Sequence, residues 1–529
     1  MFPNKPKSVG NTPRNPKDHK STVEKFSTYY KTAIKSIKES AIPLVDFAWK
    51  PLSRKPPRTN KTFKMGYISK IYVEKELRLI KRNKATGVDN LPPGLLKDSA
   101  KYTSGPLSFI INLSIKTSTV PTLWKSAKVA PIFKSGHPSL PGNYRPISIL
   151  PTLSKILEKA VHKNLMDFLE NENLLTHCQY GFRRKRSTKM AATLLCDRIR
   201  HEIDSNKLVG AIYLDLTKAF DTIGHSILIS KLSSFGVTGK EILWFTDYLF
   251  NRTQTIEING VKSNQEPIFT GVPQGSILGP LLFIMFYNDL IDHIHHSEVI
   301  KYADDTVIFY ADKDATKIEN FLNGDMKSIG KYCIDKELII NTKKGKTEVM
   351  LFGSSKRLKT SGKKLEITYA GSPIHFVTSY KYLGIIVDNT LMMADNFNRS
   401  YKRASSRLRL LERMKSYITI TARLNIYTSM IIPLLTYSCP VQTTYTDTQL
   451  ARFSSLERRA KTMIPGRERL PEIHNQLKRE CVLMVKKCLN KEFHCDTFNS
   501  YFQTFDHGKN TRNNLYTISG IISWTNQKL

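Results

Sequence analysis

At 529 residues the chain is too long for one compact core, and with 40% hydrophobic and 24% charged residues it is too apolar to remain disordered. Lys and Arg number 81 against 45 Asp and Glu, a net charge of +36 that favours polyanionic partners, nucleic acid first. The longest apolar run, 280–287, is far short of the roughly 20 residues a membrane span needs, and residues 1–20 lack the apolar core of a signal peptide.

Residues 1–64 are rich in Lys, Pro, Asn and Ser and carry a net charge of +11. A helix over Ser21 to Glu39 is compatible with the pattern, but Pro43, Pro51, Pro56 and Pro57 interrupt the residues after it, and the segment reads as a flexible basic linker. Such a linker serves equally as a nonspecific nucleic-acid arm or as a solvated tether. From Ile68 to Ile80 the apolar spacing is helical, and after the turn 84–90 and Pro92-Pro93 it is helical again over 94–118. Val129 to Lys134 reads as a strand, and Asn143 to Ser148 as an extended piece that opens a helix running to about Glu170. Gln179 to Thr188 interleaves Arg183, Arg184, Lys185 and Arg186 with aromatics and glycine. Taken alone it is a nucleic-acid surface or simply a solvated basic loop.

Three stretches carry chemistry. Leu208 to Leu214 is an apolar strand running directly into Asp215, with Phe220 five residues on and a helix after Asp221. An aspartate at the carboxyl end of a buried strand is a common catalytic position in sheet enzymes. In Gly271 to Pro280, glycines and prolines frame Gln274 ahead of an apolar helix, where glycine lets backbone approach a ligand closely. Val299 to Phe309 reads as a β-hairpin with Asp304 and Asp305 at its tip. A paired carboxylate flanked by apolar residues is a divalent-metal site or an ordinary Asp-rich turn. Together, a strand-end aspartate, an aspartate pair and a basic chain fit two-metal phosphoryl transfer, and so a nucleotidyl transferase.

The seven cysteines are scattered and odd in number, as expected of reduced thiols in an intracellular protein. With neither a secretion signal nor a transmembrane span in the sequence, the expected location is nucleus and cytoplasm. Cys481, Cys488 and Cys495 recur every seven residues near His474 and His494. That spacing describes a zinc site or one face of a helix.

Leu214 to Asp221, Gly271 to Pro280 and Tyr302-Ala303-Asp304-Asp305, in this order, resemble the reverse transcriptases of non-LTR (LINE-type, jockey-like) retrotransposons. Asn143 to Ser148, Gln179 to Thr188 and Tyr382-Leu383-Gly384 support the resemblance, which is strong over 84–388 and weaker to about 464. It implies an α+β right-hand polymerase with fingers, an antiparallel palm sheet and a helical thumb. It also implies two Mg²⁺ ions, with Mn²⁺ as the alternative, on Asp215, Asp304 and Asp305. Phe220 would be the steric gate against a ribose 2′-OH. Gln274, Gly275 and Tyr302 would meet the incoming nucleotide and template, and Arg183 and Arg145 the triphosphate or template backbone. Tyr382, Leu383 and Gly384 would form the primer grip. The family's Asn-x-x-Lys-Thr block stands here as Asn341 to Thr347, which makes Lys346 or a neighbouring lysine the proton donor to pyrophosphate. Gly224 replaces a frequent acidic residue at a helix start.

The expected organisation is a linker (1–65), a helical extension (66–115), fingers and palm (116–388), thumb helices (389–465) and a C-terminal region without assigned role (466–529). Leu408, Leu411, Met414 and Tyr417 are expected as thumb core. The partners would be an RNA template, a DNA primer or target and deoxynucleoside triphosphates, with no membrane. Residues 1–64 cannot hold the endonuclease of full-length elements, so the chain is expected to be a fragment or degenerate copy. The alternative is a catalytically inert nucleic-acid-binding remnant.

Overall fold

The structure is a computed structural model that describes residues 16–41, 57–437, 439, 441–442, 445–465, 470–489, 502–504 and 516–518. It is α+β, and it divides into two compact units, each assembled from interleaved stretches of chain. The first comprises the described residues to Thr176 with Asp215–His295 and Lys327–Asn341. The second comprises His177–Leu214, His296–Met326 and the described residues from Thr342.

In the first unit the strand Ser126–Phe133 pairs antiparallel with Tyr144–Ile149 and parallel with Arg252–Ile258, which also pairs with Val261–Lys262 and Glu266–Ile268. One face of this sheet is covered by the N-terminal helix Pro16–Ala41. Val23 and Phe26, three apart and so on one helical face, are buried against Val129, Tyr144, Ile256 and Ile258. This corrects the expectation of a linker for residues 16–41, while 1–15 and 42–56 lie outside the described residues: between Pro16 and Pro43 no proline interrupts the sequence, and the helix's apolar stripe finds a sheet to cover. Residues 57–65 are anchored too, through Arg58 N–H to Ser234 O (2.8 Å), Phe63 N–H to Gly236 O (2.9 Å) and the buried Phe63 ring. Helices Lys70–Arg78, Pro93–Asp98, Ala100–Thr117 and Thr152–Asn171 match the sequence pattern closely. Leu278–Phe286, apolar on every side, is buried on nearly every side.

The second unit is built on a five-stranded sheet in the order His375–Phe376, Glu348–Phe352, Leu208–Leu214, Asp305–Asp312, Glu298–Tyr302. All seven residues of the central strand Leu208–Leu214 are buried. Val209, Ala211 and Tyr213 face helix Thr188–Asp204 through Ala191, Leu195 and Ile199. On the other face a Cβ on Gly210 would stand 2.3 Å from Ile318, so helix Ala315–Asp335 approaches as close as only glycine permits. A separate helical core gathers Phe397, Ala404, Leu408 and Leu411 with Tyr427, Leu435, Phe453, Leu456, Ile473 and Leu477. The apolar stripe expected to run through Tyr417 stops at Leu411. The helix ends at Arg413, a single turn at Lys415–Tyr417 breaks the spacing, and Tyr417 is 85% exposed. Among the described residues no helix is long and apolar enough to cross a membrane.

Candidate active site

The hairpin with the aspartate pair belongs to the second unit. Strands Glu298–Tyr302 and Asp305–Asp312 pair antiparallel with Tyr302 opposite Asp305, leaving Ala303 and Asp304 as a two-residue turn. Asp304 therefore occupies the turn while Asp305, exposed, opens the strand. Ala303 has φ of 59°, a left-handed conformation that costs a non-glycine residue free energy and needs outside support. Gln179 supplies it: its Oε1 accepts the N–H groups of both Ala303 (2.9 Å) and Gly181 (2.8 Å). The backbone of 178–180 runs beside the strand through Lys301 N–H to Cys178 O (2.8 Å) and Tyr180 N–H to Lys301 O (2.7 Å). A Cβ on Gly181 would lie 2.3 Å from the Ala303 nitrogen. The segment that the sequence presents as a basic surface thus begins as the scaffold of the aspartate turn. Arg186 belongs to that scaffold, donating to the carbonyls of His177 and Gln179 with its guanidinium 5.0 Å from the Tyr180 ring centre. Arg183 lies half-buried in the loop after Gly181.

Tyr302 is half-buried against the core; burial, then Tyr437 and Asp305, push its hydroxyl pKa up. Tyr382 is a core residue at 3% exposure; its hydroxyl has no hydrogen-bond partner among the described residues, and its pKa is driven well up by burial and then by Asp305. Its side chain packs within the core of the second unit. The exposed part of that block is the turn joining Ser379–Tyr382 to Ile385–Asp388, where Leu383 (φ 43°) and Gly384 (φ 90°) take the left-handed pair of a tight hairpin. The Tyr437 hydroxyl donates to Leu383 O (2.8 Å) and packs under Gly384. Lys346, half-buried, ends the turn Lys343–Lys346, and its carbonyl accepts the Tyr380 hydroxyl (3.3 Å).

In the first unit, the stretch beginning at Asp215 pairs with residues 339–341. Asn341 N–H donates to Asp215 O (2.8 Å), Thr217 N–H to Ile339 O (2.8 Å), and Asn341 Nδ2 to the Asp215 carboxylate (3.1 Å). The asparagine of the lysine-rich block is therefore a direct partner of the strand-end aspartate. Phe220 is half-buried with its ring stacked 4.4 Å from Phe283. Asp221 accepts Gln274 Nε2 (2.7 Å); burial raises its carboxyl pKa, while Gln274 and Lys218 pull it back down. Lys218 Nζ sits 4.5 Å above the Tyr29 ring of the N-terminal helix, and the Tyr30 hydroxyl lies in the field of Asp221.

The loop Gly271–Pro280 is held from three sides. Gln274 O accepts Ser148 N–H (2.7 Å), and Gly275, at φ 130°, lies where a Cβ would be 2.3 Å from Ser148 O. At its far end Glu158 Oε2 accepts Ile277 N–H (2.5 Å) and Leu278 N–H (3.4 Å), and Oε1 accepts the Tyr248 hydroxyl (3.2 Å). Burial raises the Glu158 pKa, opposed by the Ile277 N–H and by Arg252. Arg145 is exposed on the strand Tyr144–Ile149, opposite Ile132. Gly224 caps helix His225–Ser234, and a Cβ there would be 3.3 Å from a Glu337 carboxylate oxygen.

Among the described residues no three His, Cys, Asp or Glu side chains are gathered to hold a metal ion. Asp304 and Asp305 in the second unit, and Asp215 in the first, each carry hard carboxylate oxygens, the donor type that suits an ion whose shell is completed by water and phosphate oxygens. The zinc reading of the heptad cysteines lies largely outside the described residues. The Cys481 sulfur is 3.5 Å from that of Cys439, which is not part of the heptad.

The sequence model of the family described as "Reverse transcriptase (RNA-dependent DNA polymerase)" matches residues 132–387. The probable RNA-directed DNA polymerase from transposon BS of Drosophila melanogaster is 29% identical over 413 residues, 75% of this chain and 45% of the relative. The RNA-directed DNA polymerase from mobile element jockey of the same species is 26% identical over 390 residues, 72% of this chain and 41% of the relative. A Pol polyprotein from the type-1 retrotransposable element R2 of Popillia japonica is 30% identical over 199 residues, 37% of this chain and 27% of that protein. The chain spans less than half the length of each of these relatives. The order of the blocks, the family match and the relatives agree: residues 132–387 are similar to reverse transcriptases, and the chain is similar to the RNA-directed DNA polymerases of LINE-type, jockey-like elements.

Proposed function

We propose that the chain is an RNA-directed DNA polymerase that extends a DNA primer along an RNA template with deoxynucleoside triphosphates, in target-primed retrotransposition. The observation that carries this reading is the antiparallel pairing of Leu208–Leu214 with Asp305–Asp312. It ends with Leu214 opposite Thr306, so one strand runs on into Asp215 and the other is preceded by Asp304. The sheet of the second unit is then the palm, the sheet of the first unit the fingers, and the helices of 389–465 the thumb. Residues 66–115 form an extension ahead of them.

Asp215, Asp304 and Asp305 hold the divalent ions, two Mg²⁺ with Mn²⁺ as the alternative. Bound there, such ions supply charge neutralisation at the primer 3′-hydroxyl and at the departing pyrophosphate. Asn341 orients the Asp215 carboxylate through its side-chain amide. Phe220, its ring stacked on Phe283, is the steric gate against a ribose 2′-OH. Gln274 and Gly275 face the nucleotide; the missing Cβ of Gly275 is what allows the loop to lie against Ser148. Arg183 and Arg145 contact phosphates, Lys346 delivers the proton to pyrophosphate, and the Leu383-Gly384 turn, rooted in the core by Tyr382, supports the primer. A net charge of +36 favours nucleic acid as partner and makes its affinity salt-dependent.

Primer extension on an RNA template tests the reading. Wild type is expected to make DNA and Asp304→Asn to make none, while Phe220→Ala is expected to accept ribonucleotides. Equal extension by wild type and Asp304→Asn removes the proposed mechanism, and nucleic-acid binding without extension by wild type makes the chain an inert binding remnant.

A further inference from the structure

A glycine-rich loop running into a helix is ordinarily a place to seat phosphate, because the first N–H groups of the helix have no partner within it. Helix Leu278–Phe286 begins at the end of such a loop; Ile277 at its capping position has no polar side-chain atom, and Ser276 Oγ accepts the Gly279 N–H (2.9 Å), which leaves the N–H groups of Ile277 and Leu278. The place is already taken. Glu158, 2% exposed on helix Thr152–Asn171, directs one carboxylate oxygen at the N–H groups of Ile277 and Leu278 and the other at the Tyr248 hydroxyl. Arg252, itself 2% exposed, lies 4.9 Å from the Tyr248 ring and backs the cluster with positive charge. Three residues before Ile277, Gln274 is fixed through its carbonyl to Ser148 and through its amide to Asp221.

We infer that Glu158 is a positioning residue for nucleotide selection: an internal anion that fills the helix N-terminus, excludes phosphate from it and fixes the loop so that Gln274 and Gly275 meet the incoming nucleotide. The inference rests on the polymerase reading for the identity of the ligand. It goes beyond that reading in assigning Glu158, which lies outside every block carrying the resemblance, and in stating where the triphosphate does not bind.

The test is equilibrium binding of a deoxynucleoside triphosphate to the full chain on a template–primer with a dideoxy 3′-end, competed by pyrophosphate. Glu158→Ala is expected to weaken nucleotide binding about tenfold, since it leaves two backbone donors unfixed, and to strengthen pyrophosphate competition by opening the helix N-terminus. Glu158→Gln keeps an acceptor oxygen for Ile277 and is expected to bind nucleotide nearly as wild type does, but its lost charge still strengthens pyrophosphate competition. Because Glu158→Gln preserves shape, it decides the matter if Glu158→Ala fails to fold. Unchanged pyrophosphate competition in Glu158→Gln, or unchanged nucleotide affinity in folded Glu158→Ala, overturns the inference. Failure of the polymerase reading looks different: wild type would not extend a primer bearing a 3′-hydroxyl, whatever the variants bind.

Discussion

The turn Tyr302–Asp305 and the loop Gly271–Pro280 are both short, irregular and held by residues far away in the chain, but they are held by different physics. The turn rests on a neutral amide acceptor, Gln179, and on the absence of a side chain at Gly181. The loop rests on two carboxylates, Glu158 and Asp221, whose pKa values burial has raised. A neutral acceptor holds its partner at any ordinary pH, whereas a buried carboxylate with a raised pKa makes its surroundings depend on protonation. The turn should therefore be sensitive to shape and the loop to charge.

The largest effect expected is on the turn. Gly181→Ala places a Cβ 2.3 Å from the Ala303 nitrogen, where only backbone can give way, and should cost upwards of about 3 kcal/mol in denaturant unfolding. A loss under about 1 kcal/mol would mean that the two backbones part easily.

Next comes a pair of variants whose pH responses should diverge. Gln179→Ala leaves the N–H groups of Ala303 and Gly181 without their acceptor, at about 2 kcal/mol, and the loss should be the same at pH 4 and pH 8. Gln274→Ala removes a donor from the Asp221 carboxylate, at about 1.5–3 kcal/mol when that group is ionised. The sign is set by linkage. The folded-state pKa of Asp221 lies above its ordinary 3.8, so its ionisation already costs stability as pH rises through the raised value, and losing Gln274 raises it further. The cost of Gln274→Ala should thus be full at neutral pH and fade as pH falls toward 4. Parallel pH curves for the two variants would erase the contrast between turn and loop.

The smallest effect tests the support behind the loop. Tyr29→Ala removes the ring beneath Lys218 and should cost about 0.5–1 kcal/mol, the range of an exposed or partly exposed cation–π contact. No measurable change would leave the N-terminal helix as a cover for the sheet without influence on the Lys218–Asp221 segment.

Much of the fold comes from short-range pattern. The apolar run 208–214 is the fully buried central strand, the apolar runs around Asp304 pair as a hairpin, and the spacing of 94–118 and of 152–170 becomes helices close to where it places them. Short-range pattern failed where a helix needed something to lie on or something to end it. The stripe of Val23 and Phe26 gains meaning only once the sheet bearing Val129 and Ile256 stands opposite, and Tyr417 leaves the core because the helix before it stops at Arg413.

The sequence by itself determined which stretches carry acids, glycines and a strand-end aspartate, because those are properties of neighbours along the chain. Only the tertiary structure decided what holds them. Ala303 takes its acceptor from Gln179, 124 residues away, Ile277 from Glu158 at 119, and Asp215 its amide partner from Asn341 at 126. Periodicity extends over a few turns or strand residues, whereas a hydrogen bond closes over any loop the fold brings together. The partners of a polar group are therefore fixed by topology and not by local pattern.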